Sequence, residues 1–163
     1  MKPARIREQV VTPNLTPGKR VYREKLIAQG GKEYRVWDPY RSKLCAAVYN
    51  GLSEIPIEES SIVLYLGAST GTTASHVSDL VPKGIVICIE FAPDVMKKLI
   101  LLCEQRENMV PVLADANQPE QYSEVLEGQK VDFIYQDVAQ PNQAEILLKN
   151  ARAYLKTGKH AII

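Results

Sequence analysis

The sequence has no apolar stretch long enough to cross a bilayer as a helix. Runs such as Ile62–Leu66 end after five residues, where roughly 20 are needed, so no membrane association is expected. The amino terminus, Met1-Lys2-Pro3-Ala4-Arg5, leads into no apolar segment of the secretory kind. Cysteine is scarce and odd in number. Cys45, Cys88 and Cys103 lie far apart, each in an apolar run. That excludes a disulfide framework and predicts three reduced, buried thiols in a cytoplasmic protein. With only His76 and His160, no zinc or other metal site is expected. Net charge is also nearly absent, at +1, but its distribution is uneven. Residues 1–56 hold 11 Lys and Arg against 5 Asp and Glu, whereas residues 57–163 hold 9 against 14. The basic first third points toward an acidic partner, nucleic acid first. A solvated basic face would give the same count.

What is present divides at about residue 55. Residues 1–55 are rich in Pro, Thr, Tyr and Arg. They carry short β-like runs, Arg20-Val21-Tyr22 and Tyr34-Arg35-Val36-Trp37, and turns at Thr16-Pro17-Gly18 and Gly30-Gly31. They predict a small, mostly antiparallel β appendage. Asp38-Pro39 reads as a helix cap followed by Pro at the first helical position, with a helix over Ser42 to Gly51.

Residues 56–163 alternate strands with helices. Predicted strands are Ile62–Leu66, Ile85–Ile89, Val110–Leu113, Val131–Tyr135 and one starting at His160. Predicted helices are Thr73–Leu80, Pro93–Gln105 and Pro141–Leu155. Near-continuous apolar strands mean burial on both faces, hence a parallel sheet between helices. The expected fold is therefore α/β, doubly wound and mostly parallel, with ligand sites at the carboxyl ends of the strands.

Chemistry gathers at those ends. The first strand runs into Gly67-Ala68-Ser69-Thr70-Gly71-Thr72-Thr73, a glycine turn with Thr72 and Thr73 able to cap the next helix. No Lys follows Gly71, so this is not a G-x-x-x-x-G-K-[ST] phosphate loop, and a plain strand–helix connection can look the same. Glu90 ends the second strand, 19 residues beyond Gly71. That is near the spacing of about 20 at which a carboxylate meets ribose hydroxyls. Phe91 could pack on an adenine ring. Asp115-Ala116 follows the third strand, where an acceptor could meet an adenine amino group. Asp137-Val138-Ala139-Gln140 follows the fourth. Acidic ends on three strands, without Lys or Arg, disfavour a phosphate-rich ligand. They suit an adenosine-bearing sulfonium cation.

The run Tyr65-Leu66-Gly67-Ala68-Ser69-Thr70-Gly71-Thr72-Thr73-Ala74-Ser75-His76-Val77-Ser78-Asp79 resembles the cofactor motif of the fibrillarin family. Glu90-Phe91, Asp115-Ala116 and Asp137-Val138-Ala139-Gln140-Pro141 match its later motifs. Val36-Trp37-Asp38-Pro39-Tyr40-Arg41-Ser42-Lys43-Leu44 resembles its linking segment. The resemblance implies an archaeal, cytoplasmic RNA ribose 2′-O-methyltransferase of the Rossmann-like type, using S-adenosylmethionine on rRNA and tRNA. It also implies a box C/D guide RNA, a Nop-type scaffold protein and a kink-turn-binding protein as partners.

By the same resemblance, Gly67, Thr72, Thr73, Glu90, Phe91, Asp115, Ala116 and Asp137 to Gln140 would contact the cofactor. Lys43 and Asp137 match two members of the family's Lys-Asp-Lys-His catalytic set, and His76 is not its His. The other two members would fall beyond Ile163, so the 163-residue chain reads as shortened and is expected to bind cofactor better than it turns over. Two other functions fit parts of the pattern. One is a non-catalytic, cofactor-binding assembly module. The other is a nicotinamide dehydrogenase with an unusual glycine turn, separable by its preference for NAD.

Overall fold

The structure, a computed structural model, describes residues 1–163. Two sheets organise it. Strands β1 (Ala4–Ile6), β2 (Gln9–Pro13), β3 (Leu26–Gln29) and β4 (Lys32–Val36) form an antiparallel sheet in the order β1-β2-β4-β3. Strands β5 (Ile62–Leu66), β6 (Ile85–Glu90), β7 (Met109–Leu113), β8 (Val131–Gln136) and β9 (Leu155–Ile162) form a second sheet, parallel throughout, in the order β7-β6-β5-β8-β9. The chain reverses direction across this sheet between β5 and β8, so a crevice opens at their carboxyl ends.

The continuous apolar strands are explained by burial on both faces. Val63 and Tyr65 point to one side. There they meet α1 (Lys43–Tyr49), α2 (Thr72–Leu80) and α3 (Pro93–Cys103) through residues such as Leu44, Val77 and Leu99. Leu64 and Leu66 point to the other, against Tyr122, Leu126, Ile146 and Tyr154. These come from a 3-10 turn (Pro119–Tyr122), α4 (Ser123–Leu126) and α5 (Gln143–Tyr154). None of these helices is long and apolar enough to cross a membrane. The three cysteines are free and buried. Burial pushes the thiol of Cys103 up to about 11 and that of Cys45 up to about 12, which leaves them unreactive near neutrality.

Several sequence expectations shift. Arg20-Val21-Tyr22 is a bend, because the Val21 and Tyr22 N–H groups donate to the Glu24 carboxylate instead of a neighbouring strand. The cap of α1 is Ser42, whose Oγ accepts from Cys45 N at 3.2 Å. Asp38 instead holds a turn, accepting from Tyr40 N at 2.9 Å. The fifth strand begins at Leu155, five residues before His160, and passes Gly158 at φ +76°. The helical turns at residues 119–126 had no periodic signal, being too short to show one.

The antiparallel sheet is joined to α2 by a buried ionic network. Asp79, 1% exposed, accepts from Arg35 Nη1 and Arg106 Nη1, each at 2.7 Å, and from Thr12 Oγ1 at 2.8 Å. Arg35 Nε also donates to Glu24 at 2.6 Å. His76 lies beside this network, fully buried and stacked on Trp37 with ring centroids 4.9 Å apart. Thr12 gives its proton to Asp79, so His76 Nδ1 must be the donor across the 2.8 Å to Thr12 Oγ1. Tyr22 Oη lies 2.7 Å from Nε2 and 3.1 Å from the Val36 carbonyl oxygen, and with Nε2 unprotonated its one proton goes to the nearer acceptor, Nε2. A neutral ring satisfies this arrangement.

Burial, then Arg35 and Arg106, holds the His76 pKa well below its ordinary value. The unfolded chain therefore takes up a proton below about pH 6.5 that the folded chain refuses. Stability should be unaffected by His76 above that pH and should fall by about 1.4 kcal/mol per pH unit below it. Urea unfolding between pH 7.5 and 5.0 measures this slope. A flat profile across that interval would mean that His76 is protonated in the fold.

Candidate functional site

The turn after β5 can form only as it does because of its glycines. Gly67 has φ +79°, and a Cβ there would lie 2.5 Å from the backbone oxygen of Asp137. The absence of a side chain lets the turns after β5 and β8 close on one another, joined by Asp137 N to Leu66 O at 2.9 Å. Gly71 has φ +86° and opens α2, and a Cβ there would strike Leu102 at 2.3 Å.

Between these turns and the end of β6 lies a cavity of about 330 Å³, a size proper to small-molecule sites. Gly67, Glu90, Phe91, Ala116, Asp137, Val138, Ala139 and Gln140 line it, eight of the residues singled out in the sequence. Glu90 is 7% exposed. Its two carboxylate oxygens accept from Ser69 N at 2.8 Å and Ala92 N at 2.9 Å, which fixes its orientation and leaves each oxygen able to accept again. Phe91 stands half out of the surface at the rim, 62% exposed. The only titratable groups on the wall are Glu90 and Asp137, and no Lys or Arg lines it.

Three other singled-out residues do not line this cavity. Thr73 is buried and donates its hydroxyl proton to Ser42 Oγ at 3.0 Å, tying α2 to the cap of α1. Thr72 faces a neighbouring groove. The Asp115 carboxylate accepts from Asn117 N at 2.9 Å and shapes its own turn.

Lys43 begins α1 and Asp137 ends β8, 94 residues apart, yet Lys43 Nζ donates to Asp137 Oδ1. The lysine is largely exposed, so the pair contributes at most about 1 kcal/mol to stability. Its interest is positional. Asp137 lines both the acidic cavity and a second one of about 330 Å³. Lys43, Ala47, Gln136 and Ile162 also line the second. Asp137 is therefore the hinge between two adjoining sites. The sequence reading missed Ser69 and Ala92, which act through backbone amides and leave no trace in residue type. It also missed Gln136, buried with its Oε1 unpartnered.

A parallel sheet in this order, with a glycine-floored acidic crevice at its point of reversal, is the fold of the S-adenosylmethionine-dependent methyltransferases. Within that class, the fibrillarin profile matches residues 1–163, and the chain belongs to the fibrillarin family. It is 53% identical over 156 residues to a fibrillarin-like rRNA/tRNA 2′-O-methyltransferase of Methanocaldococcus jannaschii, an alignment covering 96% of this chain and 67% of that protein. It superposes on Aeropyrum pernix fibrillarin with natively bound S-adenosyl-L-methionine at a TM-score of 0.90 and 47% identity. That match covers 94% of this chain and 66% of the other. Against a fibrillarin/Nop5p complex the TM-score is 0.87 at 39% identity, covering 98% and 72%. The chain thus spans about two thirds of the length of these relatives.

Proposed function

We propose that this chain binds S-adenosylmethionine in the acidic cavity and takes part in methylating RNA ribose 2′-hydroxyls of rRNA and tRNA. In this reading it acts within a box C/D particle that contains a guide RNA, a Nop-type scaffold and a kink-turn-binding protein. The relatives' names and the fibrillarin/Nop5p complex support the reaction and the scaffold. The observation that carries the reading is Asp137, shared by the two cavities and held by Lys43.

The cavity's chemistry fits the cofactor. Two carboxylates and no cation favour a sulfonium over a pyrophosphate, which counts against a nicotinamide dinucleotide. Glu90, its orientation set by two backbone amides, can accept both hydroxyls of a ribose. Phe91 offers a ring edge or face to adenine. Bound there, S-adenosylmethionine would supply an activated methyl group. A ribose hydroxyl is a weak nucleophile at neutral pH, so alignment matters most and can account for about 7–11 kcal/mol of the barrier. Asp137 would orient that hydroxyl from the second cavity and take its proton as the methyl passes to the oxygen, the methyl–sulfur bond breaking to leave a neutral thioether. Lys43 would keep the carboxylate in place and steady the charge beside it.

Calorimetry with S-adenosylmethionine and with NAD tests the cofactor assignment. The chain should bind the first and not the second. Glu90→Ala should weaken S-adenosylmethionine binding by about 1.5–3 kcal/mol, the range for hydrogen bonds to a charged group. Unchanged affinity in that variant would remove Glu90 from the ribose.

A further inference from the structure

Beside the acidic cavity lies a groove of opposite character. It has a volume of about 370 Å³ and no carboxylate on its walls. Lys19, Arg20, Arg41 and, on α3, Lys98 line it, and Arg41 is two residues from Lys43. Lys19, Arg20 and Lys98 are exposed, and none has a carboxylate within 4.0 Å. The inner wall includes Arg106, 3% exposed, whose Nε and Nη2 have no hydrogen-bond partner. Buried guanidinium donors are ordinarily matched, so two unmatched ones mark a wall that lacks an acceptor. Thr70 and Thr72 add the amino end of α2, where anions are favoured.

We propose that this groove holds phosphate groups of an RNA backbone, leading a strand toward or away from the Lys43–Asp137 pair. The four outer cations track a polyanion. Behind them Arg106 adds a buried positive charge, its two unmatched donors closed to solvent. Arg41 on the groove wall stands two residues before Lys43 of the proposed reaction centre, a neighbourhood that a free phosphate would not require. This deepens the RNA-directed reading above and rests on it for the source of the phosphate. The groove and the cofactor cavity share no lining residue, so the two can fail separately.

The test is a double variant, Lys19→Ala with Lys98→Ala, one change in the loop and one on α3, both at exposed positions. Binding of a labelled single-stranded RNA is followed by anisotropy from 0.05 to 1 M salt, in comparison with inorganic phosphate and with a phosphate-free backbone analogue. Each lost contact should reduce the slope of log affinity against log salt by about 0.7. The pair should reduce it by about 1.4, or roughly 25-fold in affinity at 0.1 M relative to 1 M salt. Calorimetric affinity for S-adenosylmethionine should stay unchanged, which reports an intact fold. Unaltered RNA affinity and slope would overturn the proposal. So would equal binding of the phosphate-free analogue, or a site that takes inorganic phosphate while the variant binds RNA normally.

Discussion

Asp79→Ala should cost this protein about 3–5 kcal/mol of folding stability, the usual result of removing one partner from a buried ion pair. Asp79 is shared. Its Oδ2 meets Arg35 and Thr12, and its Oδ1 meets Arg106 and, at 3.3 Å, Leu15 N. Arg35 is wholly buried and would keep only Glu24 and Ser75, while Arg106 would lose its single carboxylate. Glu24 cannot serve both. Desolvation pushes its pKa up, but Val21 N, Tyr22 N and Arg35 together bring it below the ordinary value, so its charge is already engaged. The damage should reach the site. The network fixes β2 and β4 on α2, and Thr73 of α2 holds the cap of α1, from which Lys43 reaches Asp137. Urea unfolding at pH 7.5 measures the loss. A change under 1 kcal/mol would show that water solvates the two guanidinium groups and that the network is not closed.

Gly67→Ala should act directly on the cavity. The left-handed backbone costs an ordinary residue about 1–2 kcal/mol, and overpacking a filled site costs about 1–3 more. The atoms met are the Asp137 carbonyl oxygen at 2.5 Å and carbon at 2.9 Å, which are backbone and cannot rotate aside. The expected result is a loss of about 2–5 kcal/mol in stability if the turn holds. If the turn after β8 yields instead, Asp137 and Val138 move out of register with Glu90, and calorimetry should show weakened S-adenosylmethionine binding. Stability and affinity both unchanged would mean that the two turns do not meet as closely as here. Gly71→Ala is a useful contrast, because its added carbon meets the flexible ends of Leu102 and Leu99.

The division between what was legible in the chain and what was not follows from the range of the interactions. Ile62–Leu66, with no polar position, could only be a strand covered on both faces, and it is one. The eight cavity residues could be named in advance because in a parallel sheet every strand's carboxyl end faces the same side, which makes strand ends comparable along the sequence. Family membership was legible for the same reason, in motifs that are local runs. Local competition for hydrogen bonds was harder to read. Arg20–Tyr22 looked like a strand until Glu24 supplied another acceptor for its amides, and Asp38 looked like a helix cap until Ser42 took that role.

Tertiary structure alone decided which charges meet. Nothing local to Asp79 indicates that Arg35, 44 residues away, and Arg106, 27 residues away, will converge on it. Nor does Lys43 announce Asp137 at a distance of 94. The same holds for the groove, assembled from a loop, a helix start and the far end of α3, where Arg106 is left with two unmatched donors. Periodicity and turn preference are properties of neighbouring residues and survive in the unfolded chain. A charge acquires its partner, and a cavity its sign, only when packing excludes water and brings distant segments within a few ångströms.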